Sequence, residues 1–117
     1  MPDVGRGEVV WVDLDPTKGS EQAGRRPALV VSGNDYNASI PRVIIVLPVT
    51  TRDRGLPHHI LLEGPALNLK QASFAMTEQP RTIDRERITG TAGAADEVTM
   101  SRVDVWLRDF LDLRAGR

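Results

Sequence analysis

The chain has 117 residues, a formal net charge of −1 and no cysteine. That length suits one domain spanning 1-117, the near-neutral balance excludes a general polyanion sponge, and the lack of thiols excludes a disulfide framework or a thiolate metal centre. With no signal-peptide apolar run in Met1–Arg6 and no segment near membrane-spanning length, the expectation is a cytoplasmic chain that makes no membrane contact. Thirteen of the fifteen basic residues are arginine. Lys18, Arg25, Arg26, Arg52 and Arg54 gather in two loops, so local clustering must carry any anion recognition.

Glu8 to Leu14 reads as a first strand, rich in β-branched residues and stopped by Asp15-Pro16. A turn-rich, charged loop then runs to Arg25-Arg26-Pro27. Pro27 biases Arg26 toward extended backbone, and a planar five-donor fork on a stiff base is what phosphate or carboxylate recognition requires. Pro27 to Ser32 is a second strand, almost wholly apolar and therefore central. Arg42 to Thr51 is a third, in which Pro48 has no N–H for a ladder and marks a bulge or an edge. Arg52 to Pro57 is a polar turn, His58 to Glu63 a fourth strand, and Gln71–Met76 and Glu78–Ile83 a short fifth and sixth. Asp84 to Arg87 resembles one helical turn. Val103, Leu107, Phe110 and Leu111 then recur at helical spacing with Trp106 alongside, and Asp96 or Ser101 could cap that helix. Short strands between Gly/Pro turns, closed by one helix, indicate a mainly β fold of small-barrel type with short helices and a C-terminal α-helix.

Three blocks then stand out in order: GEVVWVDLDPTKGSEQAGRRPALVVS from Gly7 to Ser32, Val46–Thr51, and Glu78–Ile83. Together they resemble the MazF/PemK toxins (mRNA interferases) of bacterial toxin–antitoxin pairs. The resemblance implies an SH3-like barrel of the CcdB/MazF kind, a homodimer, and cleavage of single-stranded RNA that needs no metal or other cofactor. It also implies a cognate MazE-like antitoxin whose disordered tail occupies the RNA groove. Carried over by position, the family's essential arginine is Arg26, which precedes proline. Its catalytic threonine is Thr50 and its loop glutamate is Glu21. The first loop and the polar turn would supply Lys18, Ser20, Gln22, Arg25, Thr51, Arg52 and Arg54 as RNA contacts. Gln79 and Arg81 would join them from the sixth strand, where Pro80 stands at a position that relatives often fill with an aliphatic residue.

Metal-free RNA cleavage drives the ribose 2′-OH onto the adjacent phosphorus, giving a 2′,3′-cyclic phosphate and a 5′-OH. A pre-oriented guanidinium strengthens its contacts as charge grows on the non-bridging oxygens, and the Thr50 hydroxyl can donate to the same phosphate. A guanidinium is a poor base near neutrality, so Arg26 is assigned to charge stabilisation. Glu21 is either the general base or an acceptor that orders the loop. Ser20 is a turn-former or phosphate contact, because no base is paired with it. Arg52 and Arg54 steer phosphates or are simply solvated. Adjacent in a strand, His58 and His59 would point to opposite faces, so they could not flank one phosphate together within one subunit; they read as solvent-facing strand residues or as one groove-lining ring, and two histidines with no supporting cluster are a weak zinc signal. Trp11 fits a core or dimer-interface role better than base stacking, and Trp106 with Phe110 fits core packing. The alternative from another class is a CcdB-like toxin on the same barrel that poisons a protein such as gyrase and cuts no RNA.

Overall fold

The computed structural model describes residues 3–13 and 24–113. Its elements are strands β1 (Glu8–Asp13) and β2 (Arg25–Val30), helix α1 (Asn34–Ser39), and strands β3 (Val43–Thr50), β4 (His59–Leu61), β5 (Phe74–Met76) and β6 (Arg81–Asp84). A single 3₁₀ turn (Arg85–Arg87), strand β7 (Ile88–Ala94) and helix α2 (Glu97–Phe110) complete it. The strands form one antiparallel sheet in the order β4-β5-β3-β2-β1-β7, with β6 pairing β3 off that path. The path does not close among the described residues, so the expected SH3-like barrel is realised as a bent, open sheet.

The uniformly apolar strands are explained by two cores, one on each face. Alternation sends Val9, Leu29, Leu47 and Val49 to one side and Val10, Val12, Ala28, Val30, Ile44 and Val46 to the other. On the first side α2 closes the core with Met100 and Val103, flanked by the half-buried Trp106 and Leu107. On the second, Val4, Ile83 and Ile88 complete it. Along one edge of β3, β6 pairs Val43–Val46 and β5 pairs Val49 and Thr50. Pro48 stands at the changeover, where a residue without an N–H fits.

Several boundaries and two elements differ from the sequence expectations. Helix α1 was unexpected because Asn34–Ser39 carries no apolar period. It is held by polar contacts instead: buried Asn37 accepts from Ser32 Oγ at 2.6 Å and donates to the carbonyls of Ser32 (3.0 Å) and Val4 (3.3 Å), and buried Arg85 donates to the carbonyls of Asn37 and Ile40. Strand β7 was unexpected because its composition, Ile-Thr-Gly-Thr-Ala-Gly-Ala, is weakly β-forming. It needs glycine: Gly93 has φ +94°, and a Cβ there would lie 1.9 Å from the Ala66 carbonyl oxygen. The turn expected at Asp84–Arg87 is present, with the Asp84 side chain accepting from the Glu86 N–H. Helix α2 is capped by Asp96, which accepts from Thr99 N at 2.8 Å, so Ser101 lies inside the helix. Phe110, expected in the core, is largely exposed, and so is Leu111, which caps α2. The strands expected at 58–63, 71–76 and 78–83 contract to β4, β5 and β6.

Candidate RNA-binding site

The start of β2 and the end of β3 build the site. β2 and β3 pair Val30 with Val46, Leu29 with Leu47 and Ala28 with Pro48. The pairing ends at Ala28 and Pro48; continued two residues beyond it, the same register would face Arg26 with Thr50, and cross-strand partners project to one side of a sheet. Arg26 is exposed, and its guanidinium has no hydrogen-bond or ion-pair partner among the described residues. Thr50 Oγ1 accepts from Arg52 N at 3.1 Å. That bond fixes the hydroxyl oxygen while leaving its proton free for an anion.

Arg25 is treated differently by the same strand. Alternation starts its side chain on the other face of the strand, where it forms a diagonal cross-strand pair with Trp11, since β1 and β2 pair Asp13 with Arg25 and Trp11 with Pro27; at this end of the strand both arginines still border the same cleft. Its guanidinium carbon lies 4.8 Å from the Trp11 ring centroid, and its Nε donates to Thr89 Oγ1 at 3.2 Å. Trp11, half-buried, thus packs on the first core with one face and carries Arg25 at the other.

A cleft of about 570 Å³ opens here, lined by Trp11, Arg25, Arg26, Pro27, Thr51 and the segment Asn68–Gln71 with Ser73. Arg25, Arg26 and Lys70 make it cationic, and no carboxylate lines it among the described residues. Asn68, Lys70 and Gln71 escaped the sequence reading; the only signal was Lys70, one of the chain's two lysines. Arg52 and Arg54 project from the exposed turn after Thr50, where Asp53 Oδ1 accepts from Gly55 N at 2.9 Å. Arg81 is exposed at the start of β6, paired with Val46, and Gln79 is exposed in the turn between β5 and β6. Lys18, Ser20, Glu21 and Gln22 lie outside the described residues.

A second cluster corrects the histidine expectation. His58 falls in the turn before β4, so the strand's alternation does not separate it from His59. Both rings reach Glu78, with Nε2 of His59 3.1 Å from Oε2 and Nε2 of His58 3.6 Å from Oε1. His59 is buried, and His58 packs edge-on against Trp106 and Phe110. Partial burial pushes the Glu78 carboxyl up, but its own backbone N–H, Gln79 and His59 outweigh that and hold it below the usual carboxylate range. This is the one three-ligand group among the described residues that could face a metal ion. The chemistry opposes that use. His59 Nδ1 is buried without a partner, which favours the tautomer whose proton sits on Nε2 and points at Glu78. Coordinating a metal through Nε2 would move the proton to a buried Nδ1 with no acceptor, at a cost of about 1–3 kcal/mol.

The profile of the PemK-like, MazF-like toxins of type II toxin–antitoxin systems matches residues 5–111. The endoribonuclease MazF9 of Mycobacterium tuberculosis is 38% identical over 113 residues, covering 92% of this chain and 96% of the relative. The endoribonuclease EndoA of Bacillus subtilis is 34% identical over 111 residues, covering 94% and 96%. Among solved structures, a MazE–MazF crystal structure from Deinococcus radiodurans superposes with a TM-score of 0.80 at 28% identity, covering 97% of this chain and all of that one.

Proposed function

This chain belongs to the family of PemK-like, MazF-like toxins of type II toxin–antitoxin systems, and from that premise we propose that it is a sequence-specific endoribonuclease cutting single-stranded RNA in the cytoplasm. The observation that carries the reading is an exposed Arg26, unpartnered among the described residues and lining a cationic cleft, on a strand whose pairing with β3 runs toward Thr50. The 2′-oxygen attacks the adjacent phosphorus as its proton passes to a base. The P–O5′ bond then breaks, and a proton reaches the leaving oxygen, giving a 2′,3′-cyclic phosphate and a 5′-OH. Arg26 faces the charge that builds on the non-bridging oxygens. Thr50 donates its hydroxyl proton to the same phosphate, oriented by the Arg52 N–H. Each such donor is typically worth about 3–4 kcal/mol when it is aimed at the transition state rather than the ground state. Glu21 is the base or orders the loop that carries it.

Lys18, Ser20, Gln22, Arg25, Thr51, Arg52, Arg54, Gln79 and Arg81 are assigned to the RNA strand, with Lys70 added from the cleft lining. In solution the chain works as a homodimer, and its cognate antitoxin is MazE-like, laying an extended segment along the same groove; a relative crystallised as a MazE–MazF complex supports this. The gyrase-poison alternative is not favoured, because the curated relatives are named endoribonucleases. The test is cleavage of a single-stranded RNA by the purified chain in excess EDTA, with the product ends identified. Cyclic-phosphate and 5′-OH ends without added metal are expected. A strict requirement for a divalent ion would overturn the mechanism.

A further inference from the structure

We infer that Glu78, His59 and Met76 lock the Gln79 amide so that only its carbonyl faces the RNA, making Gln79 a reader of base N–H donors; the inference rests on the reading of this chain as a ribonuclease. The Gln79 Nε2 lies 3.0 Å from Glu78 Oε2 and 3.6 Å from Met76 Sδ. A carboxylate and a thioether only accept, so the amide nitrogen is fixed on their side and both of its hydrogens are spent there. A flipped amide would set its carbonyl against both. What Gln79 has left for a ligand is Oε1, on an exposed side chain. An unrestrained glutamine offers donor and acceptor together and pairs with adenine through both. This one offers an acceptor alone.

His59 makes the lock durable. Its buried Nδ1 has no partner, which holds the Nε2–H tautomer, and that N–H donates to the same Glu78 oxygen that receives Gln79. The backbone holds the turn as well: Gln79 N donates to the Met76 carbonyl at 3.1 Å, and Pro80 restricts Gln79 to extended conformations. Arg54 Nη1 also lies 3.9 Å from Met76 Sδ. Glu78 and His59 are thus positioning residues that act through Gln79 and touch no substrate themselves.

The experiment digests one randomised single-stranded RNA pool with full-length wild type, Gln79→Ala, Glu78→Gln and Met76→Leu, and sequences the fragment ends. Thermal midpoints are recorded for each protein. Gln79→Ala is expected to relax the preference at a single nucleotide position by about tenfold, the weight of one hydrogen bond. Glu78→Gln, which can present either an N–H or a carbonyl to Gln79, should relax the same position by a similar factor. Met76→Leu keeps the packing and should relax it about threefold, as expected for losing a weak sulfur acceptor. If Gln79→Ala leaves every position unchanged, Gln79 does not contact RNA and that part of the ribonuclease reading fails. If Gln79→Ala relaxes one position while Glu78→Gln and Met76→Leu keep the wild-type profile, or slow all sequences alike, the lock is overturned.

Discussion

Two corners of this molecule handle polar groups in opposite ways. At the start of β2, Arg26 extends an exposed guanidinium with no partner among the described residues. At the turn between β5 and β6, Gln79 and His59 spend N–H donors on the Glu78 carboxylate. The first corner keeps donors available for a ligand whose charge grows during reaction. The second fixes orientation at the expense of donors, and presents one defined acceptor. Charge stabilisation needs an unspent cation, whereas discrimination between bases needs a group that cannot turn round. Arg25 shows that the distinction is set by strand alternation: one residue away from Arg26, it is turned onto Trp11 and Thr89.

The contrast is broken most severely at Arg26. Arg26→Ala and Arg26→Lys should each lower kcat by roughly 10²–10³, since an ammonium cannot reproduce two aligned N–H donors. Arg25→Ala should lower it only a few-fold, in keeping with a guanidinium engaged by an aromatic ring and a hydroxyl. Single-turnover rates at saturating enzyme separate these effects from binding. Equal losses at both arginines would mean that summed charge, not geometry, carries the catalysis.

The smallest effect concerns the second corner and pH. The Glu78 carboxyl is held below its ordinary range in the folded chain, so the ionised form stabilises the fold at neutral pH. That contribution is lost as pH falls through the lowered folded value. Urea unfolding of wild type and Glu78→Gln at about pH 7 and about pH 3 should therefore differ at the higher pH and converge at the lower. A gap that widens on acidification would show that Glu78 is not stabilised as the anion.

The pieces that were legible in the sequence are those with a local cause. Runs of valine, isoleucine and leucine marked β1, β2 and β3, and the spacing of Val103 and Leu107 marked α2. Helix α1 was hidden because its anchors are Asn37 and Arg85, polar residues joined across 48 positions. Strand β7 was hidden because its composition is weakly β-forming and Gly93 sits where the backbone of Ala66 leaves no room for a side chain. The histidine expectation failed over one residue: with His58 outside β4, the two rings converge on Glu78 instead of diverging. Arg26 and Thr50 could each be picked out by resemblance, yet their facing positions depend on the β2–β3 register, which no local pattern encodes. The same applies to Asn68, Lys70 and Gln71, brought to the cleft by the chain between β4 and β5.

The most direct measurement is a double-mutant cycle on single-turnover RNA cleavage without metal, using Arg26→Lys, Thr50→Ala and the combined variant. If the guanidinium and the hydroxyl hold one phosphate, the loss from Thr50→Ala should shrink severalfold once Arg26 is replaced. If the two losses multiply in full, the pair does not act on a common phosphate and the site described here is wrong.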